Sequence, residues 1–332
     1  MFVYSTCVTA MIGDDLDSAC KKASEEIGIP VIPVHSPGFV GSKNLGNKLA
    51  GKSLLDHVIG TGEPPYITPY DINLIGEYNI AGELWQVMPA FKDLGIRILS
   101  SISGDSTYRE ITYAHRSKLN VVVCSKALVS LAEEMKQKYG IPFIEGSFYG
   151  IRETSKTLIS IAKAFGDKGL LEKTLKYTRE REKETRERLK QYIPLLKGKK
   201  VFLYTGGVKS WSMVYMLEEL GMEVIGTSIR KSTKKDIEKL KHEFEKKQKI
   251  LLEKGGAKDI LRIMKEEKGD ILLAGGRNMY TAIKGKYPFL DVNQERVYPY
   301  AGYSGIVEMA KHLVNTLYSP VWKYVKDPFM GS

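Results

Sequence analysis

The segment between Leu119 and Gly150 constrains the fold of this chain more than any other. It begins with a short apolar run rich in valine, 119–123, which is typical of a strand buried on both faces. Cys124 follows that run, and apolar residues then recur at the three- and four-residue spacing of an amphipathic helix. Gly140 ends the helix, and Pro142 precedes a second strand. The pattern predicts a strand–helix–strand unit.

The position of Cys124 in that unit has two interpretations. The carboxyl end of a strand is the edge at which open α/β sheets bind ligands, so a thiol there is a candidate ligand-binding group. Free cysteine is also among the most buried residue types, so a core cysteine is the alternative that position alone leaves open.

Strands and helices of similar length alternate along most of the chain, which predicts α/β architecture with doubly wound parallel sheets in tandem, Rossmann-like domains. Pro64-Pro65 marks one boundary, and a long charged helix over about 170–192 separates the later domains. We therefore expect a remnant of a first α/β domain over 1–65, a middle domain carrying Cys124 over 66–192, and a carboxyl-terminal domain with a closing helix over 193–332.

The formal net charge of +11 raises the question of nucleic acid binding, but the basic residues alternate with acidic ones over 168–200 and 231–254. No nucleic-acid motif accompanies them, so we expect an anionic ligand or an acidic partner instead. No apolar run is long enough to cross a bilayer, and the first residues lack the pattern of a signal peptide. Three widely spaced cysteines, Cys7, Cys20 and Cys124, predict a reducing, cytoplasmic setting. Of these, Cys20 falls on the apolar face of a predicted helix.

Three loops have the composition of binding loops. The loop over 35–47 is dense in glycine and small polar residues, which is typical of a backbone that bends closely around a ligand. The loop over 205–210 places two glycines and Lys209 between a strand and a helix, where amides and a cation can hold an anion. The loop over 275–278 repeats a glycine pair beside Arg277. Tight packing is the alternative explanation for adjacent glycines.

Together these motifs resemble the nitrogenase component 1 superfamily, in particular its α-subunits, over essentially the whole chain. The motifs that carry the resemblance lie at 7–15, 37–39, 75–80, 124, 139–142 and 206–207. Within the superfamily the sequence is similar to the α-like subunits of the scaffold that matures the iron–molybdenum cofactor. The segments that carry this closer similarity are 35–39, 82–85, 145–150, 204–212 and 274–281.

The resemblance implies roles for individual residues. Cys124 matches the cysteine that holds the large iron–sulfur cofactor or its precursor, and Cys7 matches one cysteine of a cluster shared with the partner subunit. These two are the implied metal ligands. The residues expected to bind the cofactor are Cys124, Asn47, Gly206, Gly207, Lys209, Arg277, Asn278 and Ala301.

Two of these positions distinguish a scaffold from a catalyst. The catalytic subunit of the superfamily has a histidine metal ligand where this chain has Ala301, and a histidine beside the cofactor where this chain has Asn47. The resemblance therefore implies a scaffold that binds an iron–sulfur precursor and releases it, with molybdenum and homocitrate present transiently. We expect no catalytic residue for substrate turnover.

The family also has a segment before the strand of Cys7, with two more cysteines for the interface cluster. With Cys7 alone, we do not expect a complete [4Fe–4S]-type cluster, and we expect a fragment, an amino-terminally shortened form or an altered interface. The implied partners are a homologous β-like subunit in a heterotetramer, the nitrogenase iron protein, and maturation proteins that donate the precursor.

Three other functions compete with this interpretation. One is the catalytic α-subunit of nitrogenase, and another is a subunit of a nitrogenase-like tetrapyrrole reductase or reductive cyclase, which would need an open cavity for a flat macrocycle. A cluster-free protein that binds a sugar or nucleotide is the third, and it would leave Cys124 in the core.

Overall fold

The computed structural model describes residues 1–41, 43–123, 128–205, 208–229, 237–238, 244, 249–253, 255–293 and 295–326, with the backbone alone at 43–44, 208–210, 323 and 326. These residues form two compact units, Met1–Gly76 with Ile96–Ile144, and Glu77–Gly95 with Glu145–Ser332. None of the described helices is both long and apolar enough to cross a membrane.

The first unit is built on a two-stranded and a four-stranded sheet. Its strands are β1 (Phe2–Tyr4), β2 (Ile32–Val34), β3 (Asp71–Ile75), β4 (Arg97–Ile102), β5 (Leu119–Val122) and β6 (Phe143–Glu145). Its first helices are α1 (Cys7–Ile12), α2 (Leu16–Ile27) and α3 (Lys43–His57). After β3 the chain enters α4 (Glu83–Leu94), which belongs to the second unit, and it returns for α5 (Tyr108–Thr112) and α6 (Val129–Tyr139).

The four-stranded sheet has the order β4-β3-β5-β6, and β3 pairs in parallel with both β4 and β5. All residues of β3 and β5 are buried, as expected for central strands covered on both faces. One core cluster joins the ends of these strands to α3 and α6, through Ile75, Val122, Leu55, Leu131 and Met135. The order reverses between β3 and β5, so the switch point of this sheet lies between them.

The second unit contains the five-stranded sheet and most of the helices. Its strands are β7 (Lys200–Tyr204), β8 (Glu223–Ser228), β9 (Ile250–Leu252), β10 (Ile271–Ala274) and β11 (Phe289–Asp291). Besides α4, its helices are α7 (Ile151–Phe165), α8 (Lys168–Leu189), α9 (Ile193–Leu196), α10 (Val208–Glu219), α11 (Ala257–Glu266), α12 (Met279–Lys284), α13 (Gly302–Leu317) and α14 (Val321–Lys326).

The five strands have the order β11-β10-β7-β8-β9, and all their pairings are parallel. The chain therefore starts at β7, moves out through β8 and β9, and then continues on the other side with β10 and β11. This is the doubly wound arrangement, with its switch point between β7 and β10. The sequence prediction of doubly wound parallel sheets is confirmed. Each of the three sheets falls within one of the three predicted domains, although the division into those domains remains a prediction.

The predicted charged helix is α8, and it ends three residues earlier than expected, at Leu189. Asp167 begins it as an N-cap, with its side chain accepting from Leu170 N. The next helical turn, α9, carries Pro194 in its first turn, where a missing N–H group is tolerated. A separate helical turn thus follows α8, beyond the end of the predicted helix.

Candidate functional site

Strand β5, which precedes Cys124 in the chain, ends at Val122 beside the switch point of the first unit. Ile75 and Val122 are partners in the β3–β5 register, and Val123 N donates to Ile75 O at 2.9 Å. Cys124 follows immediately, and residues 124–127 lie outside the described residues. Val123, the residue before Cys124, therefore lies at the carboxyl edge of two neighbouring parallel strands, where ligands of such sheets bind.

Two buried amides fix the register of these strands. Asn73 of β3 and Asn120 of β5 are register partners, and both are fully buried. Asn73 Nδ2 lies 2.8 Å from Asn120 Oδ1, and it is equally close to Ala114 O and Ser117 Oγ. Since burying an amide without a hydrogen bond is costly, a slip of one residue is disfavoured. The register that pairs Val122 with Ile75 is thus specified by polar contacts as well as by apolar packing.

The glycine-rich segment before α3 differs from the prediction. A loop was expected over 35–47, but α3 begins at Lys43, so Asn47 lies in a helix and is half-buried. The prediction was wrong there because packing outweighs the low helix propensity of glycine. A Cβ at Gly51 of the same helix would lie 3.2 Å from Leu128 Cδ2, so glycine allows α3 to pack closely beside α6.

The switch point of the second unit brings two predicted binding loops to one edge. Tyr204 and Ala274 are register partners at the ends of β7 and β10. The loop after β7 leads into α10, whose second residue is Lys209, and Gly206 and Gly207 lie outside the described residues, as does the side chain of Lys209. The loop after β10 forms a 3-10 turn that contains Arg277 and Asn278. The two loops thus follow neighbouring strands.

Close packing explains one of the glycine pairs. A Cβ at Gly275 would lie 3.1 Å from Asn293 Nδ2, and one at Gly276 would lie 3.0 Å from Glu295 Cδ. Gly276 N also donates to Glu295 Oε2 at 3.2 Å. Arg277 is exposed and Asn278 half-buried beside this packed turn. The pair therefore serves the packing of the turn, and Arg277 supplies its charge.

Two threonine hydroxyls at the same edge were not predicted. Thr205 follows β7 directly. Thr227 lies in the neighbouring strand β8, where its register partner is Leu203 of β7. Both threonines are buried. Among the described residues, neither Thr205 Oγ1 nor Thr227 Oγ1 has a hydrogen-bond partner. A buried polar atom without a partner is uncommon and indicates a group that a ligand or water can satisfy. The sequence signal was a threonine directly before a glycine pair.

Ala301 is buried where the chain enters α13. It forms an isolated antiparallel bridge with Tyr149, and Gly302 N donates to Phe148 O at 2.7 Å. A methyl group offers no metal ligand, so the structure provides a closely packed wall at the position where the resemblance expected a histidine in a catalytic subunit. The preceding segment is held by Arg296, whose guanidinium pairs with Glu83 of α4.

The two described cysteines occupy different surroundings. Cys7 is exposed at the first position of α1, and its Sγ would lie 3.3 Å from a Cβ placed on Gly38. Cys20 is buried on α2 as predicted, and burial, with the nearby charge of Asp17, raises the pKa of its thiol. A raised pKa disfavours the thiolate that binds metal. Among the described residues, no three side chains of histidine, cysteine, aspartate or glutamate are placed to hold a metal ion.

The family follows from comparison with known proteins. A sequence profile described as "Nitrogenase component 1 type Oxidoreductase" matches residues 1–318. The chain belongs to this family.

Two sequence relatives and one solved structure show where in the family the chain lies. The chain is 55% identical over 328 residues to "Nitrogenase iron-molybdenum cofactor biosynthesis protein NifE" of Rippkaea orientalis, covering 99% of this chain and 70% of that protein. It is 56% identical over 328 residues to the protein of the same name from a Nostoc species, covering 99% and 68%. The solved structure "Nitrogenase Cp1 at pH 5" matches with a TM-score of 0.88 and 29% identity, covering 98% of this chain and 72% of that one.

Proposed function

We propose that this chain is a subunit of the scaffold on which the iron–molybdenum cofactor of nitrogenase is assembled, where it holds an iron–sulfur precursor during maturation and transfer. The observation that carries the proposal is the identity of 55% and 56%, over 99% of the chain, to two proteins named for cofactor biosynthesis. The resemblance noted in the sequence supports the same function, because Ala301 and Asn47 replace the histidines of a catalytic subunit.

In this proposal Cys124 is the side chain that anchors the precursor, which is the cargo of the scaffold. Thiolates are the usual protein ligands of iron in sulfide clusters. The course of β5 supports the assignment, since Val123, the residue before Cys124, is held against Ile75 beside the switch point. Cys20 is a poor candidate because its thiol is buried and its pKa is raised. A single anchoring side chain suits a protein that must release what it binds.

The edge of the second unit is assigned to anionic groups. Gly206, Gly207 and Lys209 can supply amides and a cation at the start of α10, where the helix dipole favours negative charge. Arg277 and Asn278 follow the neighbouring strand β10, and the unpartnered hydroxyl of Thr205 adds a donor. We assign to this edge the carboxylates of homocitrate during maturation. Cys7, exposed on α1, remains the candidate for a ligand at the partner interface.

Membership of the family implies a complex of several subunits. We propose as its members a homologous β-like subunit in a heterotetramer, with the nitrogenase iron protein and precursor-donating maturation proteins as transient partners. The exposed surface of α1 supports an interface on the first unit, since none of its residues is buried.

The test compares two cysteine variants in complex with the β-like partner. Cys124→Ala is expected to abolish retention of the precursor, because the only strong anchoring side chain is lost. Cys20→Ala is the matched control, and it should retain the precursor and lose about 1–2 kcal/mol of stability, as for a modest core truncation. Both are loaded anaerobically, desalted, and measured for iron content and for the electron paramagnetic resonance signal of the cluster. Full iron retention by the Cys124 variant would remove the chemical basis of the proposal.

A further inference from the structure

Helices α3 and α6 of the first unit lie side by side, and the contacts between them follow both chains in the same direction. A Cβ placed on Gly51 of α3 would lie 3.2 Å from Cδ2 of Leu128, which begins α6. Further along both helices, Lys138 Nζ donates to Leu55 O at 2.9 Å. The two helices are therefore parallel. Since the helix after a parallel strand begins at the carboxyl edge of the sheet, their shared amino end lies at the ligand edge.

The two ends of α3 are held against α6 in different ways. At the carboxyl end, Lys138 donates to Leu55 O, and Tyr139 OH donates to Ile59 O, just beyond the helix, at 2.8 Å. These hydrogen bonds fix that end. Nearer the amino end, the buried Gly51 meets the side chains at the start of α6. There the separation of the helices depends on the absence of a side chain at Gly51.

Asn47 lies one helical turn before Gly51, towards the ligand edge. Because the two residues are four apart, they share the face of α3 that looks towards α6. Asn47 is half-buried, and among the described residues its side-chain amide has no hydrogen-bond partner. A side-chain amide can both donate and accept, so Asn47 has both functions available for a ligand.

We propose that Gly51 is a positioning residue, which keeps α3 close enough to α6 for Asn47 to reach cargo at the ligand edge of the first unit. The inference rests on the proposed function, in which that cargo is the iron–sulfur precursor. A side chain at Gly51 would push α3 away from α6. Since Leu55 is fixed, the displacement grows towards the amino end. Gly51 and Asn47 lie about 6 Å and about 12 Å along the helix from Leu55, so a shift at Gly51 is roughly doubled at Asn47.

The test is Gly51→Leu, in complex with the β-like partner and loaded anaerobically with the precursor. Helix axes lie about 8–10 Å apart depending on the side chains at the contact, so leucine should move Asn47 by roughly 1–3 Å. The variant should retain its iron, because Cys124 is unchanged. The electron paramagnetic resonance signal of the cluster should change to that of Asn47→Ala. A crystal structure of the unloaded variant measures the movement of α3 directly.

A second substitution separates positioning from a loss of stability. Leu128→Ala removes the side chain that the new leucine meets, so the double variant Gly51→Leu, Leu128→Ala should recover the parental signal. A signal lost through destabilisation would not recover, because Leu128 is itself a core residue whose truncation costs stability.

Lys52→Leu is the matched control. It adds the same side chain one residue further along α3, where the lysine side chain is 56% exposed, so the signal and the position of α3 should remain parental. Circular dichroism checks the folding of each variant. If Gly51→Leu does not fold, Gly51→Ala decides, because its methyl group also meets Leu128 Cδ2 and should change the signal in the same direction.

Four outcomes overturn this inference alone when the parent chain binds the precursor. They are a parental signal in the Gly51 variant, a parental signal in Asn47→Ala, an unmoved α3 in the crystal structure, and no recovery in the double variant. A parent chain that retains no precursor overturns the proposed function and this inference together. Iron retention by the parent therefore distinguishes the two failures.

Discussion

The Glu83–Arg296 pair is the most buried ion pair among the described residues, with side chains 1% and 2% exposed. Glu83 begins α4, and Arg296 also donates to Asn293 O in the segment that leads to Ala301. Glu83→Gln would remove the carboxylate that is hydrogen-bonded to the buried guanidinium of Arg296. We expect a loss of about 3–5 kcal/mol in the free energy of unfolding. Urea unfolding followed by tryptophan fluorescence measures it, since all three tryptophans belong to the second unit.

An exposed pair provides the control for this prediction. Arg262 and Glu266 on α11 lie 2.9 Å apart, with side chains 58% and 54% exposed. Removing that pair by Glu266→Gln should change stability by roughly 0–1 kcal/mol, because solvent screens it. If the two variants lose the same amount of stability, the buried pair has no structural role beyond that of a surface contact.

At the scale of elements, Asp71 and Arg97 hold the amino ends of β3 and β4 together. Asp71 is fully buried and accepts from Arg97 Nε at 2.7 Å, from Arg97 Nη2 at 2.6 Å and from Thr68 N at 2.8 Å. Burial raises the pKa of Asp71, but the hydrogen bonds from Arg97 and Thr68 outweigh burial, so the pKa lies below its usual value. The folded state therefore binds this proton less readily than the unfolded state.

This shift predicts how the stability of the first unit depends on pH. The contribution of Asp71 is fully present above its unfolded pKa of about 3.9 and is lost as pH falls below that value through the lowered folded pKa. Asp71→Asn should remove this dependence and cost about 3–5 kcal/mol at pH 7, by leaving the Arg97 charge without its carboxylate. Amide hydrogen exchange in β3 and β4, corrected for intrinsic rates, measures both effects. An unchanged pH profile in the variant would show that Asp71 does not titrate differently on folding.

The sequence predicted the strands of both switch points because each is a short apolar run with a glycine, proline or polar loop behind it. It also predicts that Cys124 and the loop before α10 lie at carboxyl edges, and residues 124–127, 206 and 207 lie outside the described residues. It did not predict that α3 begins at Lys43, since close packing at Gly51 depends on residues of α6 that are distant in the chain. The hydroxyls of Thr205 and Thr227, which have no hydrogen-bond partner among the described residues, were missed for a similar reason. Whether a buried hydroxyl finds a partner depends on its neighbours in space, which the sequence does not give.

At the scale of the whole molecule, the fold class came from the sequence pattern, and the roles of individual residues came from the family resemblance. Periodicity and turn residues were sufficient for the order of strands and helices, and hence for the doubly wound class. The roles of Ala301 and Asn47 came only from the resemblance, because nothing in a buried alanine or a helical asparagine indicates that another family member has histidine there.

The last prediction concerns association through α1. Val8, Met11 and Ile12 are 66%, 77% and 68% exposed, and no residue of this helix is buried. A cluster of exposed apolar side chains marks an interaction surface, because covering it releases about 25 cal/mol for each Å² of apolar area. We expect the isolated chain to self-associate as its concentration rises, and the double variant Met11→Lys, Ile12→Lys to reduce this association and to weaken capture by the β-like partner.

Sedimentation velocity over a range of concentrations measures self-association, and co-purification with the partner measures capture. Val297→Lys is the control, since Val297 is 76% exposed and belongs to the second unit. Because the substituted residues of α1 lie outside the core, the thermal midpoint of the double variant should stay within about 2 °C of the parent value. A parent chain that sediments as a monomer at every concentration, together with undiminished capture of the double variant by the partner, would show that α1 is not an association surface.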